Sequence, residues 1–210
     1  KAESSLKDDE NAKVEVQAYL KIEPQGYDVG QTYTLDITPV YDLVVTSNTA
    51  GAQNDVIKKE QPLSIHGKTT VSIPLPEGFV NEEQDVYVQH KGYEYEAQVK
   101  AAGEQPSTTY IATFTNPHGF SVFTVTTESA AVAEVNGNRY TSFQDAVDAA
   151  GDKATVEVLK NENLTATMSG SSRTITVKNG TGESITVTIN GTTKTIEKNA
   201  SEAFTYTHSS

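Results

Sequence analysis

Apolar residues in this chain recur at every second position over short stretches, the period of a strand with one buried face. Val14, Val16, Ala18, Leu20 and Ile22 share one side of a first expected strand, which Pro24 and Gly26 are expected to end. Tyr33, Leu35 and Ile37 share one side of a second. Further strands are expected at residues 41–47, 61–65 and 69–75, with the small polar stretch 48–55 as a surface loop. Residues 85–90 and 93–99 read as a hairpin about Lys91-Gly92, followed by strands at 110–114 and 120–125. About eight or nine short strands with no helical period predict a two-sheet sandwich.

After residue 131 the pattern changes. Residues 133–135 and 138–140 flank Asn136-Gly137, a hairpin signal because both turn positions tolerate positive φ. Ser142 can then cap a helix that places Phe143, Ala146, Val147 and Ala150 on one face, with Gly151 as its stop. Strands are expected again at 155–159, 164–168, 174–177, 184–189, 192–196 and 203–206, with Asn190-Gly191 joining two of them. The expected fold is therefore mainly β: an N-terminal antiparallel β-sandwich followed by a smaller β-rich module with one short helix. The expected boundaries are a disordered leader at 1–13, the sandwich at 14–129, and the second module at 130–210 with its helix near 142–150. The leader is polar and charge-rich, with too little apolar surface to offset the entropy of ordering it.

Composition narrows the setting. There is no Cys, which removes disulfides, thiolate metal sites and thiol nucleophiles together and leaves packing and strand pairing to hold the fold. Sixteen basic against 28 acidic side chains give a formal charge of -12, which repels nucleic-acid phosphates and anionic headgroups. No nucleic-acid partner is expected. No apolar run approaches the roughly 20 residues that span a bilayer, so no membrane insertion is expected within this segment. The first residues lack the apolar core of a signal peptide, so any export signal is expected to lie outside the sequence given.

Candidate chemistry is sparse. His66, His90, His118 and His208 lack the spacing that sets two metal ligands on one face. His118, in the turn Pro117-His118-Gly119, is expected to hydrogen-bond its own loop backbone. Glu82, Glu83, Asp85, Glu94 and Glu96 lie close in sequence, and a glycosidase would need two such carboxylates about 5 to 9 Å apart across a cleft. Strand alternation instead sends Glu94 and Glu96 to the face opposite the apolar positions, where solvent is expected. Tyr87, Tyr93 and Tyr95 cluster about one hairpin and are the best candidates for a sugar-stacking site, in a chain that has no Trp. A Lys–Asn amide cross-link would draw on residues such as Lys21, Lys100 and Asn116, and solvated lysines are the simpler expectation. No catalytic residue, metal ligand or cofactor is assigned.

The segment Tyr140-Thr141-Ser142-Phe143-Gln144-Asp145-Ala146-Val147-Asp148-Ala149-Ala150, followed by Thr155-Val156-Glu157-Val158-Leu159, resembles modules of large cell-surface proteins of Gram-positive gut bacteria. In those proteins such a helix sometimes precedes the first rung of a parallel β-helix. Residues 71–79 and 118–125 resemble two ends of a β-sandwich module from the same kind of protein, with Gly119 inserted into the usual His-Phe-Ser pattern. The resemblance implies an extracellular, cell-surface or wall-associated setting and a non-enzymatic structural or adhesive role. It implies a monomer whose partner is a host or wall glycan or protein. The alternatives are a carbohydrate-binding module and the truncated start of a polysaccharide-processing β-helix. A compact, wholly antiparallel arrangement of residues 155–206 would count against that last alternative.

Overall fold

The computed structural model describes residue 6 and residues 8–28, 31–104 and 108–210. The expected leader falls partly on residues 1–5 and 7, outside these. In its described part Asp9 accepts hydrogen bonds from the Asn11 amide and from the Ser47 and Thr49 hydroxyls. The protein is mainly β, with sixteen strands and one short helix among the described residues.

The first eight strands are β1 (Lys13–Asp28), β2 (Thr32–Thr46), β3 (Asp55–Pro62), β4 (Thr69–Pro74), β5 (Val86–His90), β6 (Tyr93–Ala102), β7 (Thr109–Asn116) and β8 (Val122–Thr126). One layer runs β1-β2-β8-β5-β6 and the other β4-β7-β6, all antiparallel. Strand β6 serves both layers, because residues 93–97 pair with β5 and residues 98–102 with β7. Leu35, Ile37, Phe123 and Val125 from one layer meet Val71, Ile73 and Phe114 from the other in a dry core.

Three expectations about this half are corrected. Pro24 and Gly26 do not end the first strand; β1 passes them with a register shift and continues to Asp28. As an edge strand, β1 has one side on which a missing N–H costs no ladder bond. The strand expected through Tyr33, Leu35 and Ile37 and the one expected at 41–47 are one strand, because β1 pairs along the whole length of β2. The inward face of β1 is only half covered. Leu20 and Ile22 pack on the core, whereas Val14 and Val16 are 64% and 65% exposed where the ribbon outruns the sandwich.

The remaining elements are β9 (Ala133–Val135), β10 (Asn138–Tyr140), α1 (Phe143–Ala149), β11 (Thr155–Val158), β12 (Thr165–Ala166), β13 (Arg173–Asn179), β14 (Ile185–Ile189), β15 (Thr192–Ile196) and β16 (Ser201–Tyr206). Strand β11 pairs in parallel with β13, and β12 in parallel with β14. The chain thus winds through two stacked rungs of a β-solenoid, each with one strand in either sheet. It then reverses at Asn190-Gly191, and both β15 and β16 run antiparallel to the strands beneath them. Residues 155–206 are therefore neither wholly antiparallel nor wholly parallel.

Helix α1 closes the other end of the solenoid. Phe143, Ala146 and Val147 are buried, and the helix contacts β9, β10, β11 and β12. The Ser142 hydroxyl caps it by accepting the Asp145 N–H at 3.1 Å. Its C-terminus departs from expectation: Ala150 is already extended, and no left-handed glycine follows. The Arg173 guanidinium, arriving from β13, donates to the Ala150 and Val147 carbonyls and to Ser169 instead. The Gln144 carboxamide pairs with the backbone just past β12 as a strand would, accepting from the Thr167 N–H and donating to the Thr167 carbonyl.

The two hydrophobic cores are separate, but the sheet is not interrupted between them. Strand β10 pairs with the start of β6, with Tyr140 opposite Tyr93 and Arg139 opposite Glu94. The hairpin β5–β6 is thus the place where the two halves share backbone.

Candidate functional site

The chemistry-bearing side chains converge on the β5–β6 hairpin. Lys91 and Gly92 form its turn with φ of 51° and 82°, the two positive values a two-residue hairpin of this type requires. Register then separates the three tyrosines. Tyr93 pairs with His90 and Tyr95 with Val88 on one face, while Tyr87 pairs with Glu96 on the other. Each is half-buried, and they do not form one row.

Protein groups already occupy the ring faces of Tyr93 and Tyr95. Tyr93 stacks on the His118 imidazole with centroids 3.6 Å apart, and Tyr140 leans on it at 5.1 Å. Tyr95 stacks on Phe114 at 5.9 Å, and its hydroxyl lies 2.6 Å from His118 Nδ1. Burial holds the Tyr95 hydroxyl well above the usual phenol range. Beside them lies an open groove of about 450 Å³ lined by Tyr93, Tyr95, Glu96, Glu134, Asn138 and Arg139. The Arg139 Nε stands 3.8 Å from the Glu134 carboxylate there.

His118 thus differs from its expected role. Its ring bonds Tyr95 rather than its own loop, and Asn116 holds the loop. The Asn116 amide donates to the Gly119 carbonyl, and its oxygen accepts the His118 N–H. Lys91 Nζ donates to the His118 carbonyl at 3.1 Å. Burial first, and the Lys91 charge second, lower the His118 pKa below its ordinary value.

His90 is 2% exposed and stacks on Phe123 with centroids 3.8 Å apart. Its Nε2 lies 2.8 Å from Ser121 Oγ, and its Nδ1 has no hydrogen-bond partner. Burial, then the charges of Lys91 and His118, lower its pKa to about 4. A serine–histidine contact across 31 residues of sequence had no local signal. As a nucleophile–base pair it lacks a third group to orient the imidazole through Nδ1. The same contact satisfies a half-buried hydroxyl.

Glu94 corrects the expectation of a solvated face. Alternation does place it opposite the sandwich core, yet it is 4% exposed, because residues 128–131 cross that face. Its carboxylate accepts from Gln89 Nε2 at 3.0 Å, Ser129 Oγ at 2.5 Å and the Ala130 N–H at 2.6 Å. Glu96, two residues on, stays exposed. A hydrogen bond with the Asp85 carboxyl raises its pKa. The named lysines and asparagine go to separate partners: Lys21 to Glu23 and Glu60, Lys100 to Glu83, and Asn116 to its own loop. Among the described residues no three His, Cys, Asp or Glu side chains gather as a metal site.

Comparisons of the chain with known protein families, with curated proteins and with solved structures find no match.

Proposed function

We propose that this chain is a non-enzymatic structural or adhesive module of an exported bacterial surface protein, in which a sandwich and a capped solenoid stub work as one stiff unit. One observation carries the reading: the sheet passes from β6 into β10 without a break, and the buried Glu94 carboxylate anchors the connecting residues 129 and 130 on the same strand. A spacer that transmits load needs such continuity, whereas modules on a flexible linker move independently. Acidic charge and the absence of Cys suit an exposed, cross-link-free stalk. The test is to pull the chain from its two ends in a single-molecule experiment. A single rupture at high force supports the reading, and two separate low-force ruptures refute it.

The open groove beside Tyr93 and Tyr95 favours a second reading, binding of a glycan through hydrogen bonds from Glu96, Asn138 and Arg139. Stacking contributes little to it, since His118, Tyr140 and Phe114 cover the rings. A glycan array separates the two roles, because signal lost in Arg139→Ala would assign the groove to sugar. The parallel pairs β11/β13 and β12/β14 lend support to a β-helix relationship, while the antiparallel β16 occupies the edge a further parallel rung would need.

A further inference from the structure

Strand β1 is hydrogen-bonded to β2 on one side, and among the described residues no strand pairs with its other side. Its apolar face is unevenly covered. Leu20 and Ile22 pack on the sandwich core, whereas Val14 and Val16 on the same face are 64% and 65% exposed. An open edge beside exposed apolar side chains is a template for another strand, and the residues along it decide which strand fits.

About Ala18 the sequence of β1 is complementary to its own reverse. Laid antiparallel against a second copy with the two Ala18 residues opposite, Lys13 meets Glu23, Glu15 meets Lys21, Val14 meets Ile22, and Val16 meets Leu20. The two-fold axis repeats each pair. The adjacent registers that keep the apolar faces together are worse: centred on Gln17, Lys13 meets Lys21, and centred on Tyr19, Glu15 meets Glu23. Parallel pairing in register sets every charge against itself. Charged residues ordinarily keep edge strands apart. Here one register turns them into attraction. Lys21 is already in place for it, its Nζ 2.8 Å from Glu23 and 2.9 Å from Glu60, so Lys13 and Glu15 of a second copy would complete an alternating network. The same register relieves the uneven cover, because Val14 and Val16 of each copy come beside Ile22 and Leu20 of the other. It also stops where β1 does as a regular strand: Pro24 has no N–H to donate, and the register on β2 shifts between Pro24 and Gly26.

We propose that β1 is a self-recognition surface, through which two copies of this chain join edge to edge, antiparallel about Ala18, into one continuous sheet. This departs from the monomer that the resemblance implies and is independent of the load-bearing role proposed above. Sedimentation over a range of concentrations tests it with wild type, Glu15→Lys and the control Glu202→Lys, which makes the same charge change at an exposed position of β16. Wild type and the control are expected to dimerise alike. Glu15→Lys is expected to associate about tenfold more weakly, since each copy then sets like charge against Lys21 of the other. In a chain with no Cys, a single introduced thiol checks the register. Ala18→Cys puts the two Cα atoms about 5 Å apart across the axis, within disulfide reach, whereas Val14→Cys at its exposed position puts them roughly 26 Å apart. Mild oxidation is expected to give a covalent dimer from Ala18→Cys and not from Val14→Cys. A wild type that stays monomeric overturns the proposal. So does equal association of Glu15→Lys and the control, or cross-linking at 14 as ready as at 18. If Glu15→Lys fails to fold, the two thiol variants decide.

Discussion

The Glu94 carboxylate, on a strand of the sandwich, accepts the backbone N–H of Ala130, on the connection into the solenoid, at 2.6 Å. Ser129 Oγ and Gln89 Nε2 complete its shell. Three donors from two parts of the chain therefore meet at one buried acceptor. Removing an acceptor of this kind leaves its partners desolvated and unpaired.

Glu94→Ala is accordingly expected to destabilise the protein by about 3 kcal/mol, because Ser129 and Ala130 lose their acceptor and Gln89 is left with Thr126 alone. Glu94→Gln keeps one acceptor oxygen, so a loss of about half that is expected. Urea unfolding measures both. Hydrogen exchange at the Ala130 amide reports whether the loss starts at the junction, and an Ala130 amide as protected in Glu94→Ala as in wild type would refute the account.

The buried His90 makes stability depend on acid. Its folded pKa, about 4, lies below the ordinary histidine value of roughly 6.5, so the unfolded chain takes up the proton first as pH falls. Its contribution is fully present above about pH 6.5 and is lost progressively down to about pH 4, for a total on the order of 3 kcal/mol. The groups facing it are Lys91, His118, Ser121 and Phe123. Unfolding measured across this window is expected to flatten in His90→Gln. An imidazole that titrates near its ordinary value by NMR would sink the prediction.

Arg173 serves as the C-terminal cap of α1 from outside the helix. Its three donations to Ala150, Val147 and Ser169 join the helix end to β13. Arg173→Ala is expected to cost about 2 kcal/mol, and Arg173→Lys to recover only part, since an ammonium cannot span the same fork of acceptors. Thermal unfolding distinguishes the three proteins. Equal stability of wild type and Arg173→Ala would show that the cap contributes nothing.

Chemical ageing is expected to select one of three Asn-Gly pairs. Conversion needs the carboxamide carbon of Asn to meet the next backbone nitrogen, with ammonia leaving. Asn179 is buried, and its amide donates to the Glu183 and Ile196 carbonyls. Asn190 is held on both sides by the Met168 backbone. Asn136 is exposed at the tip of the β9–β10 hairpin, and no hydrogen bond holds its carboxamide among the described residues. Peptide mapping after prolonged mildly alkaline incubation is expected to find acid at 136 first. Earlier conversion at 179 or 190 contradicts this ordering.

The sequence by itself determined the elements whose signals are local. Alternating positions located most strands, Lys91-Gly92, Asn136-Gly137 and Asn190-Gly191 located the hairpins, and Ser142 located the start of the helix, because φ preference and side-chain capping act within a few residues. Only the tertiary structure decided the rest. It continued β1 past Pro24, since an edge strand tolerates a missing donor on its open side. It buried Glu94, which alternation alone had assigned to solvent, by laying residues 128–131 across its face. It covered the rings of Tyr93 and Tyr95 with His118, Tyr140 and Phe114, which lie far from them in the chain. The direction of β16 against β13 had the same origin: strand patterns are alike whether a neighbour runs parallel or antiparallel, and only long-range pairing chooses between them.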